Sequence, residues 1–334
     1  MMMTSKEQIY LVLGSSRQAL QQYMSRREHY EECVDTAERM LLLLRANHGG
    51  LGLEKAYYMI KPEGLGRDAF IAQMSLRGHG LKRKRSFVRT TRSTNIRFPN
   101  LINSLIIKGI NRIWQSDTTY YRIAEIFYYL TFIIDVYSRV IIGYCVSKDL
   151  RAQANVSALR MALKHRKNMD LTELIFHSDG GSQYRYEPFV ELLRKHTISS
   201  SMCHVAQDNA YAEKINDVIK NEYLQHWIIR DFPQLKRSVK KAVGNYNKVR
   251  IHGQLPKRVA PLEFEHYLED TDKSDAPCLL IKDSQARQWE YQPTGVQNLS
   301  YPSSRACEGI TQILPAFVKL VESKNNGQLA LNLQ

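Results

Sequence analysis

From Tyr30 to Leu44 the apolar residues Tyr30, Cys33, Val34, Ala37, Met40, Leu41 and Leu44 recur at steps of three and four. That is the period of an amphipathic helix, and His48-Gly49-Gly50 predicts its end. Upstream, Leu13-Gly14-Ser15-Ser16 sets a Gly and an N-cap type Ser ahead of another helical stretch. This suits the turn and second helix of a helix-turn-helix, and a plain helical hairpin fits the spacing equally. After Phe98-Pro99-Asn100 the pattern becomes strand-like. Trp114 to Tyr120 is a strand candidate, and Tyr128 to Asp135 and Val140 to Val146 flank Tyr137-Ser138-Arg139 as a predicted hairpin. Gln153 to Arg166 reads as a helix with Val156, Leu159, Ala162 and Leu163 on one face, and Leu174-Ile175-Phe176 as a short buried strand. A helix with Phe189, Val190, Leu192 and Leu193 follows, then a short segment Ile198 to Met202 and a helix from about Asn209 to Leu224. Three antiparallel strands and then a strand between helices describe an α/β fold with a mixed sheet.

Ile126 to Val146 is apolar over the length of a membrane span, but Asp135, Ser138 and Arg139 interrupt it, so a hairpin is expected and no membrane association. Charge points elsewhere. The 334 residues carry 47 Lys+Arg against 33 Asp+Glu, a net +14, and such a surface gathers polyanions, nucleic acid first. Lys82 to Arg97 holds Lys82, Arg83, Lys84, Arg85, Arg89, Arg92 and Arg97 with no acid, interspersed with Thr90, Thr91, Ser93 and Asn95, and reads as a DNA-tracking linker. Five scattered cysteines without a C-x-x-C pair speak against a disulfide scaffold or a zinc finger, and no signal peptide is visible, so a cytoplasmic protein is expected.

Three acids stand at element ends. Asp117 closes the strand Ile113-Trp114-Gln115-Ser116, Asp179 follows Leu174-Ile175-Phe176, and Glu213 lies in the first turns of the helix after Asp208-Asn209. Taken singly, Asp179 before two glycines is an ordinary turn residue and Glu213 an ordinary first-turn acid. Together, converging from three elements, they would repel one another unless hard cations such as Mg²⁺ neutralised them.

The segments around these acids resemble the DDE-type insertion-sequence transposases with a retroviral-integrase-like core, in particular the group encoded by the downstream of two overlapping frames. The resemblance rests on Trp114-Gln115-Ser116-Asp117-Thr118-Thr119-Tyr120, Ile134-Asp135-Val136-Tyr137-Ser138-Arg139, His177-Ser178-Asp179-Gly180-Gly181-Ser182-Gln183-Tyr184, Asp208-Asn209-Ala210-Tyr211-Ala212-Glu213 and Tyr246-Asn247-Lys248-Val249-Arg250-Ile251-His252, in family order. The spacing from Asp179 to Glu213 is shorter than is usual for the group, so the loop near Cys203 to Gln207 is expected to be short.

The resemblance implies an RNase H-like mixed sheet flanked by helices, with Asp117, Asp179 and Glu213 as catalytic and metal-holding triad for two Mg²⁺ ions, Mn²⁺ serving in their place. It implies a polynucleotidyl transferase that cleaves and joins double-stranded DNA at transposon ends and target. A nuclease without strand transfer, or a regulator that has lost catalysis, are the alternatives. On this division residues 1–81 are a helix-turn-helix-like DNA-binding region, 82–108 a basic linker, 109–267 the catalytic core and 268–334 an appendage without assigned chemistry. Lys82, Arg83, Lys84, Arg85 and Arg89 are the expected duplex contacts; Glu213, Asn216 and Lys220 share one helical face, which by itself reads as a solvated stripe, and the resemblance implies Lys220 as a DNA-end contact. A homo-oligomer on DNA and an upstream-frame partner protein are the expected assemblies. His177, Asn247, Arg250 and His252 are left open between structural and DNA-facing roles.

Overall fold

The computed structural model describes residue 14 and residues 16–81, 98–203, 206–272, 275–281 and 289–290. The basic contacts Lys82, Arg83, Lys84, Arg85 and Arg89, part of the loop near Cys203 to Gln207 and the apolar stretch Ile310 to Val321 lie outside the described residues.

Ser16 opens helix α1 (Arg17–Asn47), its hydroxyl accepting from the Ala19 amide at 3.1 Å. The helix runs unbroken through the Tyr30 to Leu44 stripe, because neither Gly nor Pro interrupts it, so the helical stretch expected after Ser16 and the Tyr30 to Leu44 helix are one element. Its buried positions Val34, Ala37 and Leu41 pack with α2 (Leu53–Ile60) and α3 (Arg67–Leu76) through Leu51, Ala56, Phe70 and Met74. Ile251, from far along the chain, completes this small core.

The main sheet has five strands in the order β4-β3-β2-β5-β6. β2 (Ile113–Ile123), β3 (Ile126–Asp135) and β4 (Ile141–Ser147) pair antiparallel, whereas β5 (Ile175–Ser178) and β6 (Ser199–Met202) run parallel to β2. This order and direction is that of the RNase H-like fold. The strand candidate Trp114 to Tyr120 extends to Ile123, and Asp117, expected at the end of a strand, lies within it, since Thr118, Thr119, Tyr120 and Tyr121 are good strand residues that pair with β3 down to Ile126.

The apolar run is a hairpin, and Asp135 explains the charge within it. Its Oδ1 accepts from the amides of Tyr137 and Ser138, both at 3.0 Å, and its Oδ2 from that of Asn111 at 2.6 Å. The acid thus ties the β3–β4 turn to the start of β2. Among the described residues no helix is long and apolar enough to cross a membrane.

Helices cover both faces. α4 (Ala152–His165) and α5 (Glu187–Lys195) bury one side with Trp114, Ile133, Ile142 and Phe176. On the other, α6 (Ala210–Val218) and α7 (Phe232–Lys248) meet Tyr128, Leu130, Phe132 and Ile134. Alternate residues of each strand serve opposite faces, as a pleated sheet buried on both sides requires. α8 (Pro261–Glu269) holds Glu265, which forms a buried two-pronged ion pair with Arg166 at the end of α4. A short strand β1 (Ile106–Ile107) pairs with β7 (Cys278–Leu280), which also pairs with β8 (Trp289–Glu290). Leu279 and Ile281 join the same core as the sheet, so residues beyond 267 help build it.

The helical region at the start of the chain docks on the turn that follows α6. Here the Gly50 amide donates to the Glu222 carbonyl at 2.9 Å, and a Cβ at Gly50 would stand 2.5 Å from the Asn221 carbonyl oxygen. Only glycine permits that approach. Beside it, the buried His48 ring bonds the Tyr223 hydroxyl at 3.1 Å, and burial holds its pKa down at about 4.

Candidate active site

α6 is laid along β2 in register. The Gln115 side-chain oxygen accepts from the Tyr211 amide at 3.2 Å, and its amide donates to the Asp208 carbonyl at 2.8 Å, satisfying polar groups at the helix start. Asn209 donates to the Ser116 carbonyl at 2.9 Å. One step on, the Asn216 amide donates to Asp117 Oδ2 at 2.8 Å; then Lys220 Nζ donates to Thr119 Oγ1 at 2.9 Å, and the Tyr121 hydroxyl to the Leu224 carbonyl at 3.1 Å. Strand residues 115, 117, 119 and 121 therefore meet helix residues 211, 216, 220 and 224. Two strand residues span about 6.8 Å, and four or five helical residues about 6 to 7.5 Å, so strand and helix keep step. The predicted helix to Leu224 is met in position but not in type, because Ile219–Tyr223 is a π-helical turn. Such a turn accommodates an added residue and is common at functional sites.

The three acids arrive by separate routes. Asp117 sits mid-strand, half-buried, with Oδ1 accepting from the Thr118 amide at 2.8 Å. Asp179, also half-buried, begins the loop after β5, where the Gly181 amide donates to its Oδ1 at 3.1 Å. Glu213 is exposed in the first turn of α6. Burial pushes Asp117 up to about 7, with the charges of Asp179 and Glu213 adding to the rise, while the Thr118 amide and Asn216 oppose it. Asp179 is also raised by burial, with the Gly181 amide opposing.

Tyr184 ties β2 to the Asp179 loop. Its buried hydroxyl lies 2.9 Å from Ser116 Oγ, and burial raises its pKa, with the charges of Asp179 and Asp117 contributing. Lys220 is half-buried, its pKa lowered by burial against the opposing pull of Asp217 and Asp117, and its ammonium lies 5.4 Å over the Tyr120 ring. It is therefore seated on β2 rather than in a solvated stripe.

Among the described residues no three His, Cys, Asp or Glu side chains are gathered to hold a metal ion. The donor chemistry nonetheless fits a hard dication: the Asp117 carboxyl, raised by burial and then by the charges of Asp179 and Glu213, would be relieved by bound positive charge.

Four residues left open are integral to the fold. His177 is buried in β5 with Nδ1 2.9 Å from Ser201 Oγ. Asn247 imitates a strand, accepting from the Ile141 amide and donating to its carbonyl, each at 2.9 Å. Arg250 grips Glu222 with Nε and Nη2 at 2.6 and 2.8 Å. His252 is held neutral by burial, aided by the charges of Arg139 and Arg250. Sequence reasoning missed Gln115, Asn209 and Tyr184 as site builders. All three stand in the segments that carry the resemblance, and Gln115 also has the same strand parity as Asp117.

Residues 108–207 and 194–259 match two family models, each described as an integrase core domain. The transposase InsF for insertion sequence IS3A of Escherichia coli is 32% identical over 163 residues, covering 47% of this chain and 55% of that protein. The putative transposase for insertion sequence element IS986/IS6110 of Mycobacterium tuberculosis is also 32% identical over 163 residues, covering 46% and 58%. The chain thus spans just over half the length of the curated relatives it matches. Among solved structures, the HTLV-2 integrase catalytic core domain in complex with magnesium (trimeric form) is 21% identical, covers 50% of this chain and 99% of its own, and superposes with a TM-score of 0.39. Over residues 108–259 this chain is therefore similar to integrase core domains, and it is similar as well to transposases of two insertion sequences.

Proposed function

We propose that this chain is a transposase that cleaves and joins double-stranded DNA at insertion-sequence ends, with Asp117, Asp179 and Glu213 as its catalytic triad. The observation that carries this reading is electrostatic. In a segment that matches an integrase core, the Asp117 carboxyl on β2 feels the charges of Asp179 and Glu213 from two other segments, in addition to its burial, which supports the reading.

The three carboxylates would hold two divalent cations, Mg²⁺ or Mn²⁺. Bound there, the cations supply positive charge that acidifies an attacking water or hydroxyl and offsets charge growing on the leaving oxygen. The protein's contribution is orientation: Asn216 and the Thr118 amide fix both oxygens of Asp117, and Gln115 and Asn209 fix the start of the helix that carries Glu213. In cleavage, water oxygen bonds to phosphorus as the bond to the 3′ oxygen breaks, and that oxygen takes up a proton. In joining, this 3′-hydroxyl loses its proton and attacks a target phosphodiester, displacing the target's 3′ oxygen. Each step forms one phosphorus–oxygen bond and breaks one. Lys220 contacts the DNA end, Lys82, Arg83, Lys84, Arg85 and Arg89 follow duplex phosphates, and the chain acts as a homo-oligomer on DNA.

The test incubates the full chain with Mg²⁺ and a labelled duplex ending in the element's own termini. Wild type should give both nicked and joined products, while Asp179→Asn and Glu213→Gln should give neither yet keep their circular dichroism and duplex binding. Nicking without joining would favour a simple nuclease, and near-normal joining by either variant would remove that residue from the triad.

A further inference from the structure

Helix α7 has a face that the proposed chemistry leaves unused. Its 17 residues include five cations, Lys236, Arg237, Lys240, Lys241 and Lys248, and no acid. All five are exposed, and among the described residues none forms an ion pair. Two are set in place by aromatic rings, with Lys236 Nζ 5.3 Å over Phe232 and Lys241 Nζ 5.0 Å over Trp227. The opposite side of the helix is anchored in the core by Leu235, Val239, Ala242 and Tyr246, so the cations stand on a firm support.

Gly244 is the independent observation. With successive residues about 100° apart around the axis, the five cations fan out on both sides of Gly244, which lies at the middle of their arc. Among the described residues a Cβ there would meet nothing within 4 Å. Their packing therefore does not require glycine, and glycine inside a helix costs stability relative to alanine. Bare backbone in the centre of a cationic face does permit another backbone to come close.

We infer that this face seats the sugar–phosphate backbone of a duplex DNA segment, which crosses the helix at Gly244 with cations on either side. The inference rests on the reading of the chain as a DNA-joining enzyme, and it adds a DNA-docking surface apart from the acidic triad. Pairing of this helix with its own copy across a two-fold axis is opposed, because it would set these like charges against one another.

The test measures binding of the full chain to a fluorescent duplex of mixed sequence across a salt series. Replacing Lys236, Arg237, Lys240 and Lys241 by Gln should weaken binding at least tenfold at physiological salt, and should flatten the slope of log affinity against log salt by about 0.9 for each phosphate no longer neutralised. The more discriminating variant is Gly244→Ala. It should raise the melting temperature by about a few degrees, as a better helix former in open space, and yet weaken duplex binding. A solvated face would give the same thermal gain with binding unchanged, which overturns the inference. So would an altered sedimentation behaviour with unaltered binding, which would make the face a contact between copies. Wild type failing to bind duplex at all would instead refute the transposase reading, and that result is distinct from binding that survives both α7 variants.

Discussion

Replacing Asp117 by Asn tests whether the triad carboxylates are held together against their own charge. In the fold this carboxyl is pushed from the ordinary 3.8 to about 7 by burial, Asp179 and Glu213. An unfolded Asp titrates near 3.9, so from about pH 4 to 7 the native chain retains a proton that the unfolded chain has released. Native stability therefore falls as pH rises through that window, by about 1.4 kcal/mol per pH unit, or ~4 kcal/mol over the whole span. The carboxyl is half-buried, and screening by nearby water reduces the visible effect to about 2 kcal/mol. Asn keeps the shape and removes the charge. Its oxygen can accept from the Thr118 amide, and Asn216 Oδ1, which has no partner among the described residues, can turn to accept the new amide's hydrogen. Urea unfolding with EDTA present should thus find Asp117→Asn more stable than wild type by about 2 kcal/mol near pH 8, with the gap closing near pH 4. Adding Mg²⁺ should then stabilise wild type more than the variant, because the ion binds the native carboxylates. A variant that is equally destabilised at both pH values, with and without Mg²⁺, would refute the electrostatic reasoning.

Lys220→Ala should weaken binding to the element's terminal sequence more than to a scrambled duplex at one fixed salt concentration; equal losses would make Lys220 a general phosphate contact. Converting Lys82, Arg83, Lys84 and Arg85 to Ala should weaken duplex binding regardless of sequence and flatten its salt dependence by about 0.9 per phosphate released, as filter binding can measure. Arg250→Met leaves Glu222 with a half-buried charge whose main partner is gone, and should cost about 3 kcal/mol in urea unfolding, part of which the added change Glu222→Gln should restore. His48 is held neutral, with its pKa lowered from 6.5 to about 4 by burial, so native stability should be full above pH 6.5 and decline as pH falls towards 4. His48→Gln should flatten that decline in denaturation midpoints taken at several pH values.

The strands, most helices and the three acids were legible along the chain because they depend on near neighbours. The β-branched and aromatic runs in Tyr128 to Val146, the three-four stripe in Gln153 to Arg166 and the short apolar run Leu174-Ile175-Phe176 each mark an element and what it must bury, and the fold obeys them. Motif order brought forward Asp117, Asp179 and Glu213 without any knowledge of distance. What the chain could not state were relations between distant segments. Whether Asn216 and Lys220 face water or β2 depends on how α6 lies on the sheet, and on the π turn that keeps it in step. Arg250, His252 and Asn247 read the same in sequence whether they meet phosphates or the protein's own core. Tertiary packing decided this by bringing Glu222 to Arg250 and the Ile141 backbone to Asn247. Ser16 could mark the start of a helix, and the absence of a competing break before His48 made α1 a single rod. Local periodicity encodes which side of an element is apolar; a buried polar side chain acquires its role only from the partner that folding carries to it.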